Sequence, residues 1–251
     1  MSTSLNQGGP VTLVTGGTRG VGRAIAERLA RAGHRLMLNY AGNAAAADAA
    51  RTAVEALGGE ALTLAGDVAS ATDVEALFQA AQARFGRVDH VVVNAGIELI
   101  DTPIVDIKPE AFDRLLAVNA RGAFLTMQAA ARHLPDGGRI VQIGSTTTLF
   151  PHAGFTAYAA SKAVGRMLVD VLAKELGPRG ITVNSVIPGP LSDAGVLLDA
   201  PLDAKQWMAS LSPLARMGTS HDAAGAVAFL LSPEAGFVSG HHLVVNGAAT
   251  I

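Results

Sequence analysis

The chain has 251 residues, 49% of them apolar and 16% charged, with a formal net charge of −2. That composition supplies a full core, while the near-neutral balance, without any block of like charge, argues against a nucleic-acid or anionic-membrane partner. There are no cysteines, so disulfides, thiolate metal sites and cysteine nucleophiles are excluded.

The opening MSTSLNQGGP has neither a basic nor an apolar targeting run, and no charge-free apolar stretch reaches a membrane-spanning length. A soluble cytoplasmic protein, one domain over 1–251, is the expectation. VTLVT, Val11 to Thr15, is short and β-branched, as a strand buried on both faces is. Val21, Ile25 and Leu29 then recur every fourth position against Arg23, Glu27 and Arg31. This predicts an amphipathic helix with a Glu27–Arg31 pair on its wet face, closed by Gly33. RLMLNY is the second strand, NAAAADAARTAVEAL a helix ending at Gly58-Gly59, and ALTLA the third strand, leading to Asp67. Ser70 with Asp73 has the spacing of a capping box opening the next helix, whose apolar face is Val74, Leu77, Phe78 and Ala81. VDHVVVNAG, RIVQIG, ITVNSVI and HLVVNG supply four more strands, with helices over Ala111 to His133, Tyr158 to Leu176 and His221 to Leu231. Such alternation predicts an α/β fold: a Rossmann-type doubly wound sheet of about seven mainly parallel strands, with helices on both faces. Pro190 to Met217 breaks the rhythm and reads as a substrate lid over 190–217.

Two stretches carry chemistry. TGGTRGVG, Thr15 to Gly22, joins the first strand to the first helix. Gly16 permits a sharp turn, Gly20 lets backbone approach a phosphate, and Gly22 lets helix pack against strand. The first helical N–H groups then face an anion. A plain tight turn could use the same residues; the position after the first strand of a β-α-β unit favours a nucleotide site. The second stretch is TAYAASKA, where Tyr158, one of two tyrosines, precedes Lys162 by four residues. That spacing is one helical turn, so the lysine can lower the phenol's ordinary pKa of about 10 while donating to a ligand hydroxyl.

With Asp67-Val68, Asn94-Ala95-Gly96, Asn119, Ser145 and Pro188-Gly189 in order, these motifs make the sequence resemble the short-chain dehydrogenase/reductases from Val11 to Gly247. The resemblance implies that Tyr158 protonates the alkoxide formed on a reduced carbonyl, and Lys162 holds the nicotinamide ribose and tunes the phenol. Ser145 orients the substrate, Asn119 supports a water-linked proton relay through its backbone, and hydride comes from the cofactor. Ala159, Ala160 and Ser161 read as clearance for that cofactor. The implied cofactor-binding set is Gly16, Thr18, Arg19, Gly20, Val21, Gly22, Asn39, Tyr40, Ala41, Asp67, Val68, Asn94, Ala95, Gly96, Tyr158, Lys162, Pro188, Gly189 and Leu191, with no metal. Asp67 would hydrogen-bond adenine and Val68 pack on its ring. Tyr40 stands where an acidic residue would bind the ribose hydroxyls in NAD-preferring members, and Arg19 can pair with a 2′-phosphate, so NADPH is expected.

Three departures stand out: Val93 for an asparagine, Asp193 for the threonine expected to meet the nicotinamide carboxamide, and a tail, VNGAATI, without the usual paired glycine. The pattern is closest to 3-oxoacyl-carrier-protein reductases and related carbonyl reductases. Arg179 matches one carrier-docking position, but Asp136 stands where a basic residue is expected, which favours a free small-molecule ketone over a carrier-bound one. Leu197, Leu198, Trp207, Met208 and Met217 line either an apolar substrate pocket or only the lid's own packing. An NAD-dependent alcohol dehydrogenase, a carbon–carbon double-bond reductase and a nucleotide-binding regulatory protein remain as alternatives. The resemblance also implies a homotetramer.

Overall fold

Seven short apolar runs lie side by side in the computed structural model, which describes residues 8–249. They are β1 (Val11–Val14), β2 (Arg35–Tyr40), β3 (Glu60–Ala65), β4 (His90–Val93), β5 (Arg139–Ile143), β6 (Thr182–Pro188) and β7 (His242–Val245). Every neighbouring pair is parallel, in the order β3-β2-β1-β4-β5-β6-β7. Successive side chains alternate between two cores. Leu13, Met37, Val91, Ile140 and Val183 point to one face, while Val14, Leu38, Val92, Val141 and Val186 point to the other. Burial on both faces is why these runs read as continuous hydrophobic segments.

Helices cover each face. α1 (Gly20–Arg31), α2 (Ala44–Ala56) and α8 (Ser220–Leu231) pack Ile25, Leu29, Val54 and Leu230 on one side. α3 (Ala71–Phe85), α5 (Gly122–His133) and α6 (Thr156–Glu175) bring Phe78, Met127 and Val169 to the other. The strand order reverses between β1 and β4. Their carboxyl ends diverge there and leave a crevice, where ligands of open α/β sheets bind. No described helix is long and apolar enough to cross a membrane.

Several local expectations are corrected. The helix predicted from Ala111 to His133 is α4 (Pro109–Leu115), a π turn (Leu116–Arg121) and then α5. On α1, Glu27 pairs back with Arg23 at 2.8 Å rather than forward with Arg31. Ser70 caps α3 by accepting from Asp73 N–H, but the Asp73 carboxylate turns to Ser70 Oγ and the Asp67 N–H, so the box is not reciprocal. The reciprocal box is on α8, between Thr219 and Asp222. The 190–217 excursion contains α7 (Leu202–Ser210) and one 3-10 turn at Gly195–Leu197. Of the tail, Thr250 and Ile251 lie outside the described residues, as does most of the opening MSTSLNQGGP.

Candidate active site

The glycine loop leaves β1 through Gly16 and Gly20, both at positive φ (61° and 48°). A Cβ on Gly16 would meet Ala95 Cα at 3.1 Å, and one on Gly22 would collide with the Gly16 carbonyl. Both positions therefore require glycine. Gly20 differs: a Cβ there would meet Ala194 of the 190–217 excursion at 3.5 Å, which brings that excursion up to the loop. Asn43, Ser70 and Thr219 cap α2, α3 and α8 with side-chain oxygens, whereas Arg19 gives α1 no side-chain cap. The first N–H groups of α1, with no acid in the first turn, are left to an outside acceptor.

A second layer fixes this loop. Thr15 Oγ1 accepts from the Asn94 and Ala95 N–H groups, and Asn94 Nδ2 donates to the Thr15 and Gly16 carbonyls at 3.0 and 3.1 Å. Asn94 thus joins β4 to β1, while Val93 is buried in the core. Asn39 is buried as well. Its Oδ1 accepts from Gly16 N–H and its Nδ2 donates to the Tyr40 and Gly66 carbonyls, so this side chain shapes the cleft from behind. Thr18 is buried, Val21 and Tyr40 are half-buried, and Ala41 and Arg19 are exposed. The Arg19 guanidinium has no hydrogen bond or ion pair to the described residues, and no carboxylate follows Tyr40. Those features fit a 2′-phosphorylated ribose.

Asp67 Oδ1 accepts from Ala69 N–H at 3.0 Å and Oδ2 from Arg114 at 3.3 Å. The Ala69 bond, aided by Arg114, holds its carboxyl below the usual range. Val68 is buried close to Gly122, where a Cβ would come within 2.7 Å of it. Pro188 ends β6, Gly189 N–H is bonded to the Val245 carbonyl, and Leu191 is buried in a parallel bridge to Gly218. Asp193, where a threonine was expected, accepts from the Ser220 N–H and Oγ at the start of α8. Its carboxylate therefore serves the helix rather than the cleft. The expected carrier-docking Arg179 is engaged too: it pairs with Asp136 at 2.9 Å and donates to the Ala131 and Leu134 carbonyls at the end of α5.

The predicted catalytic side chains converge. Tyr158 and Lys162 on α6 are both buried, with the ammonium 5.9 Å from the phenol's ring centroid. Lys162 Nζ donates to the Ile143 carbonyl at 3.3 Å, and a Cβ on Gly96 would lie 3.0 Å from it. Ser145 follows β5; its Oγ accepts from Thr147 N–H and Thr147 Oγ1. Asn119 lies in the π turn, a rare helical defect frequent at functional sites. Its Oδ1 accepts from Ile97 N–H at 2.8 Å, and its Nδ2 donates to the Ile97 carbonyl and Ser161 Oγ, both at 2.9 Å. Ser161 in turn donates to the Tyr158 carbonyl at 2.7 Å. It is a buried link rather than clearance; Ala159 is half-buried and Ala160 exposed.

One electrostatic expectation reverses. Burial, seconded by the charge of Glu98, pushes the Tyr158 phenol up from its ordinary value, and only Ser145 acts in the other direction. Without cofactor, Lys162 does not make it acidic. Burial instead pushes the Lys162 ammonium down to about 8, Glu98 opposing. Desolvation outweighs the cation here because both groups share the same dry pocket. Glu98 itself carries no sequence signal. Its contact, Val196, lies 98 positions further along the chain. Of the apolar lid residues, Leu198 and Trp207 are exposed, Leu197 and Met208 half-buried, and Met217 buried.

Residues 16–250 match a sequence profile described as enoyl-(acyl carrier protein) reductase. An NADPH-dependent aldehyde reductase-like protein of Arabidopsis thaliana is 38% identical over 95% of this chain and 93% of its own. The 3-oxoacyl-[acyl-carrier-protein] reductase of Staphylococcus aureus is 36% identical over 94% and 96%. Among solved structures, a short chain dehydrogenase from Burkholderia cenocepacia in complex with NADP is 39% identical, with a TM-score of 0.90, covering 98% of this chain and 100% of that one.

Proposed function

Because the chain belongs to the short-chain dehydrogenase/reductase family, we propose that it reduces a small-molecule ketone to a secondary alcohol through Ser145, Tyr158, Lys162 and Asn119. It is an NADP(H)-dependent oxidoreductase acting on carbonyl groups. The observation that carries the ketone reading is the pairing of a buried, protonated Tyr158 with a buried Lys162 beside Ser145. A phenol pushed up by burial is a proton donor, which is what carbonyl reduction needs.

The uncapped start of α1 would receive the pyrophosphate, and Arg19 the 2′-phosphate. Gly16, Thr18, Gly20, Val21 and Gly22 form the cradle, with Asn94, Ala95 and Gly96 beside the ribose. Tyr40, Ala41, Asp67 and Val68 flank the adenosine end, and Pro188, Gly189 and Leu191 the nicotinamide end. Asn39 shapes the loop from behind. When bound, NADPH supplies hydride to the carbonyl carbon.

Ser145 Oγ donates to the carbonyl oxygen and fixes its position. Tyr158 Oη gives that oxygen its proton as charge develops there, and the phenolate is stabilised by the Lys162 ammonium close by. Lys162, held near 8, is able to return a proton at neutral pH. Asn119 holds the Ile97 backbone and, through Ser161, the first turn of α6; a water on its carbonyl would refill Lys162. The chain would act as one cytoplasmic domain over 1–251 with a substrate lid at 190–217, working as a homotetramer. A free ketone is favoured over a carrier-bound one because Arg179 is tied to Asp136 and to α5.

The test is NADPH oxidation with neutral ketones, 3-oxoacyl thioesters and an enoyl thioester, for wild type and Tyr158→Phe. Ketone turnover falling at least about 100-fold in the variant, with NADPH binding retained, is the expected result. Turnover that survives the substitution removes Tyr158 as the donor. Turnover of the enoyl thioester alone replaces the ketone with a double bond.

A further inference from the structure

Glu98 lies between two residues fixed to the catalytic groups. Ile97, before it, is bonded through both N–H and carbonyl to Asn119, and Leu99, after it, packs on the cluster containing Tyr158. Its Oε2 accepts from the Val196 N–H at 2.8 Å, reaching across to the 190–217 excursion. Gly195 makes that approach possible. At φ 61° it has no side chain, and a Cβ there would run into the Glu98 carboxylate. Glu98 is exposed, and its Oε1 has no hydrogen-bond partner among the described residues.

In the chain Glu98 is followed by Asp101, Asp106 and Lys108, and the excursion carries Asp199 and Asp203. Of the excursion's cations, Arg216 is doubly bonded to Asp222 and Lys205 donates to the Leu198 carbonyl. The charge of Glu98 reaches inward as well, since it acts on both Tyr158 and Lys162.

We propose that Glu98 is a specificity-determining residue, which fastens the lid over Tyr158 and Lys162 through the Val196 N–H and turns away ketones bearing a carboxylate near the carbonyl. This rests on the ketone-reductase reading. The substrate class is thereby narrowed to neutral or cationic ketones with apolar bodies, in keeping with Leu198 and Trp207 exposed on the lid.

Two variants separate lid from charge. Glu98→Gln keeps an acceptor for Val196 and loses the charge; Glu98→Ala loses both. Hydrogen exchange of the full-length protein, read over peptides spanning 194–198, should be close to wild type in Glu98→Gln and roughly tenfold faster in Glu98→Ala. The kcat/KM ratio for a 3-oxo acid over its methyl ester should rise about tenfold in both variants, as expected for removing one nearby like charge. Unchanged exchange in Glu98→Ala, or a ratio unmoved in Glu98→Gln, overturns the proposal. Wild type that turns over neither compound while exchange behaves as expected points to failure of the reductase reading, and the exchange contrast then decides the hold on the lid by itself.

Discussion

Lys162→Met should make the protein inactive and more stable. Burial pushes the ammonium down from its ordinary 10.5 to about 8, and the side chain is 7% exposed. A displacement of that size corresponds to about 3 kcal/mol lost by keeping the charge inside the fold at neutral pH. Methionine fills similar space without the charge and gives up the 3.3 Å bond to the Ile143 carbonyl, the attraction of Glu98 and the ammonium's place by the Tyr158 ring, so a net gain of about 1–3 kcal/mol is expected. The sign of the pH dependence follows. The folded value lies below the unfolded one, so between about 8 and 10.5 the unfolded chain holds more protons and wild-type stability rises with pH. Above about 10 the raised phenol of Tyr158 works in the opposite sense, because its neutral form is the one the fold favours. Urea unfolding of cofactor-free protein at fixed concentration, at neutral pH and just above pH 9, measures both effects. Wild type should gain on the wild-type–variant gap as pH rises. A variant less stable than wild type at neutral pH, or a gap that stays constant, would refute the claim that Lys162 is a desolvated cation.

Other substitutions probe the cofactor cradle and the support beneath it. Arg19→Ala should raise the Kd for NADPH about tenfold and leave that for NADH within a factor of two; fluorescence titration with both dinucleotides checks it, and equal losses would remove the 2′-phosphate contact. Gly22→Ala sets a methyl against the Gly16 carbonyl and 2.6 Å from Asn94 Nδ2, so binding of both dinucleotides should weaken together and stability fall by about 1–3 kcal/mol in thermal unfolding. Asp222→Asn removes the carboxylate that Arg216 and Thr219 hold well below its ordinary 3.8. The native pair lies at the surface and is screened by solvent, so the loss of stability at neutral pH is small. A depressed carboxyl contributes above its unfolded pKa and loses that contribution as pH falls through the folded one. The acid limb of the variant's stability curve below about pH 4 should therefore be flatter than that of wild type.

The sheet was legible because its signals are local. RLMLNY is bounded by Gly33 and Gly42, and β2 fills those limits from Arg35 to Tyr40. The glycine loop and the Tyr158–Lys162 spacing were legible for the same reason, since one strand end or one helical turn holds each motif together. What escaped depends on distant partners. Ser70-x-x-Asp73 and Thr219-x-x-Asp222 have the same spacing, yet only the second closes reciprocally, because the Asp67 N–H claims Asp73. Arg179 looked free until α5 ended beside it, and Asp193 was only an unexplained departure until α8 began there. The direction of the Tyr158 shift was misjudged because spacing gives the distance to a cation but says nothing of how dry the surroundings are.

The π turn at Leu116–Arg121 gives the molecule an unequal tolerance to changes in chain length. A regular helix advances by about 100° per residue, and the wider π turn takes up one residue more for the same rotation, so deleting one residue here would restore a regular helix and leave α5 in phase. Met127 and Ala130 would stay in the core, but Asn119, inside the turn, would lose its placement against Ile97 and Ser161. A point substitution on an exposed face of the same segment carries no such penalty. Insertions and deletions during divergence are thus expected to collect in loops away from the site, while the length of the chain between Pro109 and His133 stays fixed even where its side chains drift.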